Sequence, residues 1–479
     1  MQLAFWTVVT AALVAFVIAR RPYPNYDSYY ALVWGREIAR GHLPDYAVFR
    51  TPTPHPLFNA YTAVLSIAGA RAVRVMTMLS VGMYVTLLLG VYRMVRLKIS
   101  PVVAFVAVLV LLTRTDLLAF ALRSMLDIPF LNLIVWAVVL ELKRPRRGVA
   151  PLVLLGLAGL LRPEAWILSG LYWLWLGVAI VRPRLHLPGG DVSRARLASL
   201  MPLVALPPII WISLDWWIAK DPLYSFVSTR DVAGALGRQK SLLESIALIP
   251  RFVGGSEPVV NALVGTLGLV LALYLLRSRM FMLVALALSG LLTYLLIAVG
   301  GLSVIERYLL LPSLVACIGV AFALTGWMQL TGQPRRAAIG LAVASLVVIG
   351  VRLPAYASTI REFNGESRQT SSRFAGIESI LTAAPVAADA RRCRPFLAPT
   401  HEAVPVIRYQ LDLAKDEVVA STQLSRAATH GLQLLQTGYL DPISLTSISH
   451  VQRKPWTVFP LTNFTYRAEN DAWIVYAKC

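Results

Sequence analysis

Charge is what this chain has least of. Only 15% of its 479 residues are Asp, Glu, Lys or Arg, where soluble proteins carry about 25%, so a soluble globular protein is excluded for the chain as a whole. The acids are the scarcer sign, 25 against 45 Lys and Arg. There is no Gly-rich loop of the kind that cradles nucleotide phosphates and no Cys/His spacing that would hold a metal. No cofactor and no metal site is therefore predicted, with dependence on a divalent metal left open. No internal repeat of fixed period appears, which removes the two related halves that many transporters show. The first apolar segment has no basic n-region, and Arg20-Arg21 follow it in place of a small-residue cleavage site. It is expected to stay as a membrane helix and not to be cut away as a signal peptide.

What fills the chain is apolar surface: 57% of residues are hydrophobic, in runs such as LAFWTVVTAALVAFVIA from Leu3 and VVAFVAVLVLL from Val102. A helix needs about 17–25 apolar residues to cross roughly 30 Å of hydrocarbon. Several such runs separated by short basic loops predict a polytopic α-helical membrane protein. The net charge of +20 would point to nucleic acid in a soluble chain. Here the basic residues sit between apolar segments, where they orient helices and meet lipid headgroups, so no nucleic-acid partner is expected.

Five basic clusters lie one apolar hairpin apart: Arg93/Arg96/Lys98, Lys143/Arg144/Arg146/Arg147, Arg182/Arg184/Arg194/Arg196, Arg277/Arg279 and Arg335/Arg336. The positive-inside rule assigns all five to the cytoplasm. The opposite loops hold nearly all the carboxylates of this region, among them Asp27, Asp45, Asp116, Asp127, Glu164 and Glu306. About eleven spans follow, near 3–19, 75–93, 101–114, 128–142, 149–161, 165–181, 199–217, 259–276, 280–299, 304–325 and 337–353, with the N-terminus cytoplasmic. The apolar segment 57–69 is too short to cross and is read as interfacial or re-entrant. From Pro354 the composition turns polar, so residues 1–353 are read as the membrane domain and 354–479 as an extracytoplasmic α/β domain. VPVIRYQL, DEVVAS and AWIVYAKC read as strands and SSRFAGIESILTAA as an amphipathic helix. Cys393 and Cys479 both fall in that domain; an oxidising compartment would let them pair, and two separate thiols is the alternative. The excess of Arg over Lys, with abundant Ala, fits a GC-rich bacterial genome and so a bacterial plasma membrane.

The densest constellation is the first outer loop, YPNYDSYYALVWGREIARGHLPDYAVFRTPTPHPL. Asp27 follows the first apolar segment by a few residues, and Ser28–Arg40 has helical periodicity with the Trp and Tyr content of an interfacial helix. This arrangement resembles the GT-C superfamily of membrane glycosyltransferases. The matching stretches are Asp27-Ser28, Arg36-Glu37-Ile38-Ala39-Arg40-Gly41 and His55-Pro56-Leu57. Further along, Arg71-Ala72-Val73-Arg74, Arg123 and Asp127 in LRSMLDIP, Arg162-Pro163-Glu164, the stretch after Lys220, and Glu306-Arg307-Tyr308 are similar to that superfamily's pattern in order and sidedness. Two departures stand out: Ser28 occupies the place of a frequent second acid, and His55 that of a frequent Lys.

The resemblance implies transfer of a sugar from a polyprenyl-phosphate donor to a hydroxyl of a cell-envelope glycan, lipid or protein acceptor, with inversion. Such a donor brings its own leaving group. The enzyme must then supply a base for the acceptor and positive charge for the departing phosphate. Asp27 is the expected base, with Asp127 as a second catalytic candidate. Arg307, Arg162, His55 and Arg123 are the expected phosphate ligands, and Glu164, Asp116 and Glu306 are further candidates. Structural readings stand beside these: Asp27 as a helix N-cap, Asp127 as a cap with Arg123 beside it, Arg162 and Glu164 as a turn, Arg307 as a snorkelling side chain. Two other functions compete with the transferase: a lipid or solute transporter, and a non-catalytic membrane subunit.

Overall fold

The computed structural model describes residues 22–181, 192–437 and 459–479, with a few helical positions between 6 and 15. The first expected span, 3–19, lies largely outside these, and so does Arg20-Arg21. Seventeen α-helices can be followed in the described residues. They are α1 (Tyr26–Ala39), α2 (Pro56–Leu65), α3 (Ala72–Lys98), α4 (Pro101–Leu112), α5 (Thr115–Leu122), α6 (Asp127–Lys143), α7 (Val149–Leu161), α8 (Glu164–Val181), α9 (Arg194–Ala219) and α10 (Tyr224–Ala235). There follow α11 (Leu242–Gly254), α12 (Gly265–Leu276), α13 (Phe281–Val299), α14 (Leu310–Thr325), α15 (Gly332–Thr382), α16 (Ala384–Arg392) and α17 (Val404–Leu411).

A helix occupies each of the ten other expected spans. Among the described residues, five helical stretches are long and apolar enough to cross a membrane by themselves: Pro56–Lys98, Arg194–Ala219, Val259–Val299, Glu306–Gln329 and Gly332–Thr382. A sixth results if α4 and α5, bent by 66°, count as one. The rest are shorter; α7, with 13 residues, reaches only about 20 Å at 1.5 Å per residue. The segment 57–69 is not a span of its own. Helix α2 has ten residues, about 15 Å, and gives way to a 3-10 turn whose Gly69 takes φ 54° and ψ −127° before α3 begins.

Helix α14 is the hub, with 89% of its most apolar window buried. It meets α12 at a close glycine crossing: a Cβ on Gly268 would collide with the Gly319 carbonyl, and a Cβ on Gly319 with the Gly265 carbonyl. Small residues at such crossings are how lipid-embedded helices gain packing without a hydrophobic drive.

The polar C-terminal region forms a five-stranded mixed sheet of β1 (Phe396–Ala398), β2 (Val418–Ala420), β3 (Gly431–Gln436), β4 (Thr465–Glu469) and β5 (Trp473–Lys478), in the order β2-β1-β3-β5-β4. β1 is parallel to β2 and β3, while β5 runs antiparallel to β3 and β4. Two expectations change. VPVIRYQL is not a strand but α17: Pro405 sits in its first turn, where a missing N–H costs nothing, and Val404–Arg408 are all buried rather than alternating. SSRFAGIESILTAA is not a separate element either. It supplies the last turns of α15, which runs unbroken through 353–354 for 51 residues, with Pro354 inside it, about 75 Å. The composition boundary therefore falls inside one rigid helix. Cys393 and Cys479 are disulfide-bonded, with Cα atoms 4.8 Å apart, and tie the last strand to the end of α16.

Candidate active site

Helix α1 begins with its cap in order. The Asn25 side chain accepts from the Ser28 backbone N–H at 3.0 Å and from the Ser28 hydroxyl at 2.6 Å. That settles who caps the helix: Asn25 does, and Asp27 in the first turn is left for other work. The start of α1 is also pinned to the α5–α6 turn, with Asn25 N–H donating to the Arg123 carbonyl at 3.0 Å and the Ser28 hydroxyl to the Ser124 carbonyl at 2.9 Å. These bonds fix where the Asp27 carboxylate points.

Asp27 lies 3.4 Å from a guanidinium nitrogen of Arg307, which precedes α14. Two cavities meet at this pair. One, of about 450 Å³, is lined by Asp27, His55, Arg162, Glu164, Arg307 and Tyr308 among others. The second, of about 280 Å³, is lined by Asp27, Arg307, Arg123, Glu306, Arg238 and Glu402 among others. Tyr26 and Arg238 also border both.

Arg162, on the wall of the larger cavity, is 5% exposed. It donates to Asp127 on one side and to Glu164 at 2.8 Å on the other, while Tyr308 covers its guanidinium at 4.6 Å. Burying a guanidinium is costly unless carboxylates meet it, and Asp127 and Glu164 do that. Asp127 is itself fully buried and borders neither cavity; its contact is with Arg162. His55 packs edge-on against Trp211 at 5.7 Å. Burial, with the charges of Arg162 and Arg307 adding to it, pushes its pKa down to about 3, so the imidazole is neutral beside two cations.

The expected candidates thus separate into groups. Asp27, Arg307, His55, Arg162 and Glu164 share the larger cavity, and Arg123 and Glu306 line the smaller. Asp116 is elsewhere, held by Arg114. No local pattern marks Arg238, one polar residue in the loop between α10 and α11, or Glu402 and His401, which come from the C-terminal domain. The His401 ring packs on Tyr26 at 5.7 Å, and burial, then the charges of Arg50 and Arg238, push its pKa down to about 4.

The other end of α1 does something different. Glu37 pairs with buried Arg408 at 2.9 Å, Arg36 and Arg40 pair with Asp412, and Lys415 reaches Asp45 at 2.7 Å. Ser28–Gly35 are buried throughout, so this helix is not an open amphipathic ribbon: the C-terminal domain covers its outer face. The Arg36–Gly41 stretch holds that domain over the site.

No protein-family model matches the chain, and no curated protein matches it in sequence. Among solved structures it is similar to ArnT from Cupriavidus metallidurans. With the form bound to undecaprenyl phosphate the identity is 16% and the TM-score 0.52, covering 99% of this chain and 98% of that one. The apo form gives 16% and 0.56 over 100% and 98%. It is also similar to the oligosaccharyltransferase AglB from Archaeoglobus fulgidus, in complex with an inhibitory peptide and a dolichol-phosphate, at 12% identity and a TM-score of 0.50, over 87% of this chain and 64% of that one. The chain shares its overall fold with these membrane proteins.

Proposed function

We propose that this protein is a membrane glycosyltransferase that moves a sugar from a polyprenyl-phosphate donor to a hydroxyl of a cell-envelope glycan, lipid or protein acceptor. One observation carries the reading: the Asp27–Arg307 pair stands where two cavities meet. An inverting displacement needs the base and the leaving group on opposite faces of one carbon, and two cavities joined at a base and a cation provide those two approaches. The larger would take the donor. Beyond it, a second apolar cavity of about 360 Å³ continues between α8 and α13, lined by Leu168, Leu171, Ser289 and Leu292. Leu296 and Thr293 one turn on, with Ile167, belong to the donor cavity, so the α8–α13 seam offers an isoprenoid chain an apolar path. Both ArnT and AglB were solved with polyprenyl phosphates bound.

Asp27 acts as general base on the acceptor hydroxyl in the smaller cavity. Arg307 and Arg162 receive the charge that builds on the departing phosphate, and a planar guanidinium fits phosphate oxygens. Asp127 and Glu164 hold Arg162 in place as positioning residues. Neutral His55 offers a hydrogen bond without charge. No cofactor or metal is assigned a step. The setting is a bacterial plasma membrane with the N-terminus in the cytoplasm and the C-terminal domain, over the site, on the extracytoplasmic face.

The test is turnover of radiolabelled polyprenyl-phosphate sugars by purified protein in nanodiscs. Asp27→Asn keeps the shape of the side chain but removes the base. A loss of about a hundredfold or more is expected, with an unchanged melting temperature. Wild-type turnover in the variant would move the base elsewhere, and no turnover by wild type with any donor would sink the transferase reading.

A further inference from the structure

A further cavity, of about 1110 Å³, lies on the face of α1 opposite Asp27, where Tyr29, Leu32 and Arg36 point. Its floor is the Gly69 kink and the first turn of α3. Its roof is the C-terminal domain, whose Tyr409 hydroxyl reaches the Gly69 carbonyl at 3.5 Å. The charge lining it is one-sided: Arg36, Arg40, Arg71 and Arg74 against the single carboxylate of Glu378.

The four arginines are not equivalent. Arg36 and Arg40 are engaged by Asp412. Arg71 and Arg74 make no hydrogen bond or ion pair among the described residues. They also stand at the N-terminus of α3, where the helix dipole disfavours cations. Two cations placed against the dipole, without a counter-ion, on the wall of a roomy cavity call for an anion from outside the chain. Apolar surface adjoins them: Ile67 is 87% exposed and Met78, in the lining, 45% exposed.

We infer that this cavity binds the phosphate headgroup of an anionic membrane lipid, with Arg71 and Arg74 on the phosphate and the acyl chains running over Ile67 and Met78. The site stands apart from the donor phosphate at Arg307 and Arg162 and does not depend on the transferase reading. It borders the reaction site all the same. Phe374 lines both this cavity and the smaller one at Asp27, and Tyr29 stacks on Phe374 at 5.8 Å. A bound lipid therefore steadies a shared wall.

The experiment titrates purified full-length protein in neutral detergent with phosphatidylglycerol, phosphatidylcholine or inorganic phosphate, reading retained lipid by native mass spectrometry and stabilisation by thermal melting. Wild type is expected to prefer phosphatidylglycerol by about tenfold or more, as two arginines at a headgroup would give. The double variant Arg71→Gln/Arg74→Gln should fall to the phosphatidylcholine level, and Arg71→Lys/Arg74→Lys should recover most of the preference. The inference is overturned if the Gln variant keeps the wild-type preference, or if wild type shows none. It is overturned as a lipid site if millimolar inorganic phosphate stabilises the protein equally and displaces the lipid. All these side chains are at the surface, and the melting curve in lipid-free detergent reports directly whether each variant is folded.

Discussion

Asp27 and Asp116 each lie in the first turn of a helix and each is paired with an arginine. In the sequence they look alike, as acids at the same end of the bundle. Around Arg114, the partner of Asp116, everything is closed. Arg114 is 1% exposed and gives its donors to Asp116, to the Val253 carbonyl and to the Ser313 hydroxyl, joining the α4–α5 bend to α11 and α14. A Cβ at Gly255 would strike its guanidinium. Around Asp27 the arrangement is loose. The Arg307 contact is 3.4 Å long, with side chains 26% and 13% exposed, and space opens on both sides. A pair that uses all its hydrogen-bonding capacity inside the protein is structural. A pair left with capacity facing a cavity is available to a substrate.

That contrast can be broken by mutation. Arg114→Ala should have the largest effect, about 3 kcal/mol of stability, because it removes a buried guanidinium and leaves the partly buried Asp116 carboxylate without its donors; chemical denaturation in detergent measures it, and a loss below about 1 kcal/mol would mean the pair is not structural. Arg307→Ala should instead leave melting nearly unchanged while lowering turnover about 10²–10³-fold, the scale for removing one donor from a developing negative charge. Unfolding in that variant with turnover retained per folded molecule would reverse the roles of the two arginines.

A smaller effect is expected from pH. His55 is held near 3 in the folded protein and titrates at about 6.5 when unfolded, so the unfolded chain binds the extra proton between these values. Stability should therefore be full above about pH 6.5 and fall as pH drops towards 3. His55→Gln should flatten that acid-side slope; an unchanged slope would show that His55 is not its source. Smallest of all, Arg40→Ala removes a contact with Asp412 in which both side chains are 52% exposed, and it should cost no more than about 0.2–1 kcal/mol. A larger loss, read in the same melts, would show that the domain is held mainly by this rim.

Much of the fold was legible because its cause is local. Long apolar runs and the placing of charge between them mark helices wherever hydrocarbon must be crossed, and ten of the expected spans coincide with helices. The alternating and β-branched runs at DEVVAS and AWIVYAKC mark strands for the same reason. VPVIRYQL was misread because apolar content alone does not tell a buried helix from a buried strand. The 353–354 boundary was misread as a change of element because composition follows the surroundings, lipid and then water, while the helix needs no break to pass between them.

Residue types alone determined that the chain enters a membrane and that its carboxylates gather at one end; both follow from the cost of charge in hydrocarbon. Which carboxylate faces open space was decided only by tertiary structure. Asn25 caps α1 and frees Asp27, Arg162 takes up Asp127, and Arg114 takes up Asp116. Glu402 reaches the site only because a domain more than 300 residues after α1 folds back over that helix, and Arg238 only because the α10–α11 loop packs beside it. Pairing across that distance depends on how helices pack, and no local pattern encodes it.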